Sequence, residues 1–194
     1  MKLSVELASN SRKEWIDAVM NDFDSFLQDH ANCERKASSM AMSFVAKYPN
    51  RTEIIPELIN TAVEELEHFK MVYEIMESRG VELPHEIGRD DYVKKLVDAC
   101  RSTPDKRFVD RLLIASIVEC RGAERFRMVY EALEEGELKN FYHNLWASEA
   151  KHGNIFVKMA LEYFPESEVY QRLNTLNELE AKVLDDLPIK AALH

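Results

Sequence analysis

Two short stretches, Glu65-Leu66-Glu67-His68 and Glu149-Ala150-Lys151-His152, constrain this chain more than anything else in it. Residues at i and i+3 share a helix face about one turn apart, so a carboxylate and an imidazole placed there can reach one metal ion. Leu58, Ala62, Phe69, Val72 and Met76 place the first motif on an apolar face; Leu145, Phe156 and Met159 do so for the second. Two Glu-x-x-His helices joined by two helices that each carry a single Glu make up the ligand set of carboxylate-bridged dimetal bundles.

The two single glutamates can be sought by spacing. Glu34 precedes Glu65 by 31 residues, and Glu119 precedes Glu149 by 30. Two hairpins then present Glu and Glu-x-x-His in the same order at almost the same separation. Small residues surround both: Ala31, Ala37, Ser38 and Ala41 near Glu34, and Ala115, Ser116, Gly122 and Ala123 near Glu119. They leave room between helices that an all-apolar core would experience as a destabilising cavity. Glu124 is the rival to Glu119, but it breaks the matched spacing. A third copy of the pattern, Glu82-Leu83-Pro84-His85, carries a proline inside it and is set aside. Glu64 and Glu67 are rotated from Glu65 by about 100° per residue and belong on a solvated face. His30 lies one turn before Glu34, and His143 lies before Glu149. They read as packed or surface histidines, with a supporting hydrogen bond to a ligand left open. Cys33, Cys120, Tyr73 and Tyr130 read as core.

Composition narrows the class. With 194 residues the chain is read as one domain, 1–194, with ample material for a core. Five glycines and six prolines are too few for a turn-rich β fold, which favours an all-α chain. No apolar run reaches the roughly 18–20 residues that a bilayer span needs, and the first fifteen residues lack an apolar core of signal-peptide length. The expectation is a cytoplasmic protein with no membrane partner. Three cysteines without CxxC spacing argue against a disulfide framework or a zinc knuckle. A net charge of −10 argues against a strongly basic nucleic-acid binder, although divalent ions facing four glutamates would cancel part of it.

The expected elements follow from apolar periodicity and its interruptions. A short helix over 9–20 is capped at Ser9 or Asn10, and a long one runs from about Asp24 to Lys47 before Tyr48-Pro49-Asn50. The next spans Thr52 to Arg79, with Pro56 in its first turn and Gly80 closing it. Val81 to Thr103, with a short helix at 90–100, reads as a crossover. Helices over 105–133 and 137–164 follow, and a last one over 167–187 is expected to pack outside the bundle. This is a four-helix bundle of the ferritin-like type, with a crossover connection and flanking helices.

Four carboxylates and two imidazoles form a hard, mostly oxygen-donor site that suits iron or manganese better than copper or structural zinc. Six protein ligands shared by two ions leave positions open, as a catalytic site needs. The chemistry expected is O2 activation by di-iron, with Glu65 and Glu149 bridging and Glu34 and Glu119 terminal. His68 and His152 would each complete one ion. Other readings stay open: a ferritin-like di-iron oxidase or peroxidase acting on a small molecule, or a metal-free helical interaction protein.

The segments DHANCERKASSMA, EELEHF, IVECRGAERF and SEAKHGNIF resemble the bacterial tRNA hydroxylase family known as MiaE over most of the chain. That resemblance implies hydroxylation of the isopentenyl group of 2-methylthio-N6-isopentenyl-adenosine, next to the anticodon of tRNA. It implies two iron ions, O2 as co-substrate, an external electron donor, and the ligands Glu34, Glu65, His68, Glu119, Glu149 and His152. An RNA substrate calls for an apolar prenyl pocket with a basic rim. Arg35, Lys36, Arg121, Arg125, Arg127, Lys151 and Lys158 are the candidates for that rim, against their plainer reading as solvated helix faces. The acidity of the chain implies weak, salt-sensitive binding.

Overall fold

The structure is a computed structural model that describes residues 5–85, 88 and 90–194. Among those residues the regular structure is helical and there is no strand. The elements are α1 (Lys13–Asn21), α2 (Phe23–Lys47), α3 (Ile55–Arg79), α4 (Asp91–Asp98), α5 (Pro104–Ala132), α6 (Glu137–Leu161) and α7 (Glu166–Asp186), with a 3-10 turn, Thr52–Ile54, leading into α3. The chain groups into two compact units. One comprises residues 17–88 and 190–193; the other comprises 1–16, 89–189 and 194.

The first unit is a hairpin of α2 and α3. Asp22 caps α2 by accepting a hydrogen bond from Ser25 N, and Pro56 sits in the first turn of α3, where a missing N–H costs nothing. Gly80 ends α3 in the left-handed region, φ 69°, with its N–H on the carbonyls of Met76 and Glu77. Phe26, Leu27, Ala31, Ala41 and Phe44 are buried on α2, facing Leu58, Ala62, Val72 and Met76 of α3. Ser38 Oγ pins the two helices together by donating to Ala62 O at 2.7 Å.

The second unit pairs α5 with α6 and sets α7 and α4 against that pair. The last helix is therefore integral to this unit, packing on α5, α4 and α6. It contributes Glu180, a carboxylate with no exposed surface. Arg121 Nε and Nη2 donate to Glu180 at 2.8 and 2.9 Å, and Tyr92 Oη donates to it at 2.8 Å. Burial pulls the Arg121 guanidinium pKa down, but its bonds to Glu180 and the charges of Glu180 and Glu124 outweigh that and hold it above the ordinary value. Arg121 Nη1 donates to Glu124 Oε2 and Nη2 donates also to Ser9 O, while Glu124 accepts from both Ser11 N and Ser11 Oγ at 2.7 Å.

That network explains two departures from the sequence reading. The first helix begins at Lys13 rather than near residue 9, because the polar groups of Ser9 and Ser11 are taken by Arg121 and Glu124. Nor do Arg121 and Arg125 belong to a basic rim. Arg121 is wholly buried, and Arg125 lies 4.7 Å from the Trp15 ring centre, its pKa pushed down to about 10, chiefly by burial. The sixth helix also stops early, at Leu161. The turn that follows carries Tyr163 and Phe164 onto Phe108, with ring centres 5.8 and 6.3 Å away.

A second buried carboxylate, Asp110, accepts from Arg101 and Arg172 at 2.7–3.1 Å. Burial raises its pKa, but the hydrogen bonds from Arg172 and Arg101 win, and the net shift is downward. A carboxyl whose pKa is lower in the folded state adds stability above its unfolded pKa of about 3.9, and that contribution is lost as pH falls through the folded value. Asp110→Asn is expected to reduce stability near neutral pH. It should also flatten the acid limb of stability below about pH 4, measured by urea unfolding between pH 2 and 6. An acid limb identical to that of the native chain would contradict the assignment.

Candidate metal centre

Within the first unit, Glu34 of α2 and Glu65 and His68 of α3 each offer a ligand atom, all within 4.8 Å of one another. They are 4%, 1% and 7% exposed, so three polar side chains share one nearly dry space. His68 Nδ1 lies 3.4 Å from Glu65 Oε2 and 3.8 Å from Glu34 Oε2. The other oxygen of Glu34 is held from behind: His30, one turn earlier and wholly buried, lies with Nε2 2.7 Å from Glu34 Oε1. The supporting bond that the sequence left open is present at His30. His143 instead packs its ring against Tyr130 and Trp146.

The second unit repeats the arrangement. Glu119 of α5 and Glu149 and His152 of α6 bring ligand atoms within 4.8 Å of one another, all three side chains being buried. His152 Nδ1 lies 3.1 Å from Glu149 Oε2, so the same ring nitrogen faces carboxylate oxygen in both units. Glu124, the rival to Glu119, is spent on Arg121 and Ser11. Glu64 and Glu67 are exposed, as the helical rotation requires.

The approach of α6 to α5 depends on Gly153, immediately after His152. A Cβ there would stand 2.4 Å from Cys120 Sγ and 3.5 Å from Ser116 O, so no side chain fits without movement. Ser116 Oγ donates to Gly153 O, doing for this hairpin what Ser38 does for the other. The small residues read from sequence as room for ions thus also draw each pair of helices together. Cys120 has its thiol pushed up to about 12, first by burial and then by the neighbouring Glu119 charge.

The donor chemistry in each unit fits a hard, oxygen-preferring cation. Two carboxylates crowded beside an imidazole in a buried space repel one another, and a divalent ion relieves both that repulsion and their desolvation.

The family described as tRNA-(MS[2]IO[6]A)-hydroxylase (MiaE) matches residues 2–194. This chain belongs to the MiaE family. A tRNA 2-(methylsulfanyl)-N(6)-isopentenyladenosine(37) hydroxylase of Pseudomonas putida is 36% identical over 171 residues, covering 88% of this chain and 82% of that protein. The protein of the same description from Salmonella typhimurium is 29% identical over 133 residues, 68% of this chain and 48% of its own length. Among solved structures, a protein from Synechococcus described as having aldehyde deformylating oxygenase activity superposes with a TM-score of 0.91. It is 28% identical, and the match covers 97% of this MiaE-family chain and 94% of that one. The all-α, ferritin-like expectation is met. Among the described residues no helix is long and apolar enough to cross a membrane.

Sequence reasoning missed a groove in the second unit formed by α5, α6 and the extended segment before α1. The missing signal is periodicity: residues 5–10 show neither a helical nor a strand repeat, so nothing in their order announces where they lie.

Proposed function

We propose that this chain is an O2-dependent non-haem di-iron monooxygenase that hydroxylates the isopentenyl group of 2-methylthio-N6-isopentenyl-adenosine in tRNA. The observation that carries the reading is the family match across residues 2–194. The two matching sets of Glu, Glu and His support its metal chemistry. In this proposal residues 1–194 act as one functional domain, a reading supported by the family match across residues 2–194.

Glu34, Glu65 and His68 from the first unit, and Glu119, Glu149 and His152 from the second, would hold two iron ions. Bound iron supplies the redox and Lewis-acid chemistry needed to reduce O2. The reaction balances as R–H plus O2 plus two electrons and two protons giving R–OH and water, so an external reductant is required. The protein's own contribution is placement and dryness. His30 fixes Glu34 through Oε1 and leaves Oε2 on the His68 side. Ser38 and Ser116 lock the helix pairs that carry the ligands, and the buried surroundings exclude water from the reacting bond.

The test is to load the protein with iron, reduce it, and expose it to O2 with tRNA bearing the prenylated nucleoside, then analyse digested nucleosides by mass spectrometry. One added oxygen atom on the prenylated nucleoside, and none on tRNA lacking the prenyl group, is the expected result. No oxygen incorporation by an iron-loaded, reduced enzyme would refute the substrate assignment. A second reading, oxidation of a small molecule such as an aldehyde, is favoured by the Synechococcus neighbour. Turnover of such a molecule with tRNA left untouched would select it.

A further inference from the structure

Cationic side chains gather at one place in the second unit. Residues 94–111 carry six lysines and arginines against three aspartates, in a chain whose net charge is −10. Folding concentrates them further, because α7 brings Arg172 to the same spot, where Asp110 ties it to Arg101. Asp110 has no exposed surface, whereas the Arg101 and Arg172 side chains it holds are 29% and 19% exposed. Arg111 follows Asp110 directly, and Arg107 stands one turn before Arg111 on the same helix face. Burial, and then the Asp110 charge, push the Cys100 thiol pKa up, while Arg107, Arg111 and Arg172 pull it down. Those three guanidiniums are therefore close enough to act on one atom.

We propose that this cluster, Arg101, Lys106, Arg107, Arg111 and Arg172, docks the phosphodiester backbone of the RNA substrate. The proposal rests on the tRNA hydroxylase reading and adds to it the surface on which the RNA is held.

Three observations support this partner. First, the cluster carries more positive charge than its own carboxylates balance. Asp110 is shared between two guanidiniums, Asp98 is taken by Lys94, and Glu168 stands 3.9 Å from Arg101 Nη1, beyond hydrogen-bond range. Among the described residues neither Lys106 nor Arg107 makes an ion pair. On the neighbouring surface of α5 and α6, by contrast, Arg127 and Lys139 are each paired with a glutamate one turn away. Like charges held together in this way are stabilised by an incoming anion, and guanidinium forks suit phosphate oxygens.

Second, the receiving groups are set before a ligand arrives. Arg101 spends Nε and Nη2 on Asp110, and Arg172 spends Nε and Nη2 on Asp110 and Ala99 O. Both side chains are thereby fixed with Nη1 left over, which lowers the ordering cost of binding. Third, the placement suits a backbone contact. Phosphate contacts position a nucleic acid without reading its bases, so this surface has no need to line the metal centre. Arg111 and Glu119 lie on one helix, eight residues or about 12 Å apart along its axis. A nucleic-acid interface of roughly 1,000 Å² is about 30 Å across, so one footprint spans both.

The test measures binding of fluorescently labelled anticodon stem-loop RNA, with and without the prenylated adenosine, to the iron-loaded full chain by anisotropy across a salt series. Lys106→Gln and Arg107→Gln should each reduce the slope of log affinity against log salt by about 0.8, which is about six-fold weaker binding at about 0.1 M salt. The double variant should lose about 40-fold there, equally for both stem-loops, because phosphate contacts carry no base information. For hydroxylation, KM should rise with kcat unchanged. Iron content and melting temperature should match the native chain, and Lys182→Gln, an exposed lysine elsewhere on α7, should leave the slope as it was. Native affinity and slope in the double variant would overturn the docking surface, while oxygen addition by the native chain kept the reaction assignment intact. Binding that depends on Lys106 and Arg107, with no oxygen added by the native chain, would keep the surface and discard the reaction. Salt-independent binding, or none, by the native chain would overturn the proposal outright. So would RNA binding that survives the double substitution while binding of polyglutamate is lost, which reassigns the cluster to an acidic protein partner.

Discussion

Replacing Glu180 by alanine is expected to lower stability by about 3–5 kcal/mol, the usual cost of removing one partner from a buried ion pair. For a chain of this length that corresponds to a melting temperature about 10 °C lower. The loss is large because three hydrogen bonds converge on this carboxylate, from Arg121 Nε, Arg121 Nη2 and Tyr92 Oη, and neither it nor Arg121 has exposed surface. Without Glu180 the guanidinium stays buried with Glu124 as its remaining carboxylate partner in that network. Glu180→Gln, which keeps one acceptor oxygen but drops the charge and the second acceptor, should cost less. The double replacement Arg121→Met with Glu180→Leu should recover most of the loss, since two apolar groups leave no stranded charge. Thermal melts followed by circular dichroism decide the matter, and a Glu180→Ala melt superimposable on the native one would show the pair to be idle.

Glu149→Ala is expected to act on the metal instead of the fold. Iron bound per chain should fall from two to one or fewer, and hydroxylation should drop by roughly 100-fold or more, exceeding the 10- to 100-fold typical of residues that merely support a ligand. His30→Ala should fall within that smaller range, because it removes the group behind Glu34 and not the ligand itself. The metal-free Glu149→Ala protein should melt no lower than the metal-free native chain. It sheds one of the carboxylates that crowd a buried space, and with it some electrostatic repulsion. Iron assay with paired melts separates the cases. Native iron content in Glu149→Ala would remove this residue from the ligand set.

Much of this architecture was legible because helical chemistry is local. Glu65 with His68, and Glu149 with His152, are fixed on one face by a three-residue step, and the apolar residues around them say which way the face points. Glu34 and Glu119 were reachable because the hairpins repeat. What could not be read depends on partners far along the chain. Arg121 and Arg125 look like any exposed cations on a helix until Glu180, 59 residues beyond Arg121, is seen to bury the first. Ser9 looks like a helix cap until its carbonyl is found on Arg121, 112 residues away. The groove was invisible for the same reason, since one wall belongs to an extended segment whose order carries no repeat.

The bonding of that extended segment has a consequence for biosynthesis. Ala8 is anchored to Asn177, and Asn177 returns a hydrogen bond to Glu6, across 169 and 171 residues of chain. At ordinary translation speeds roughly 10–30 seconds separate the synthesis of these two segments. The earlier-made stretch must wait, with Val5 and Leu7 uncovered, until α7 has been made. Closure of so long a loop is entropically slow, so this last docking step is where a nascent chain is most exposed to misassembly and to chaperone capture.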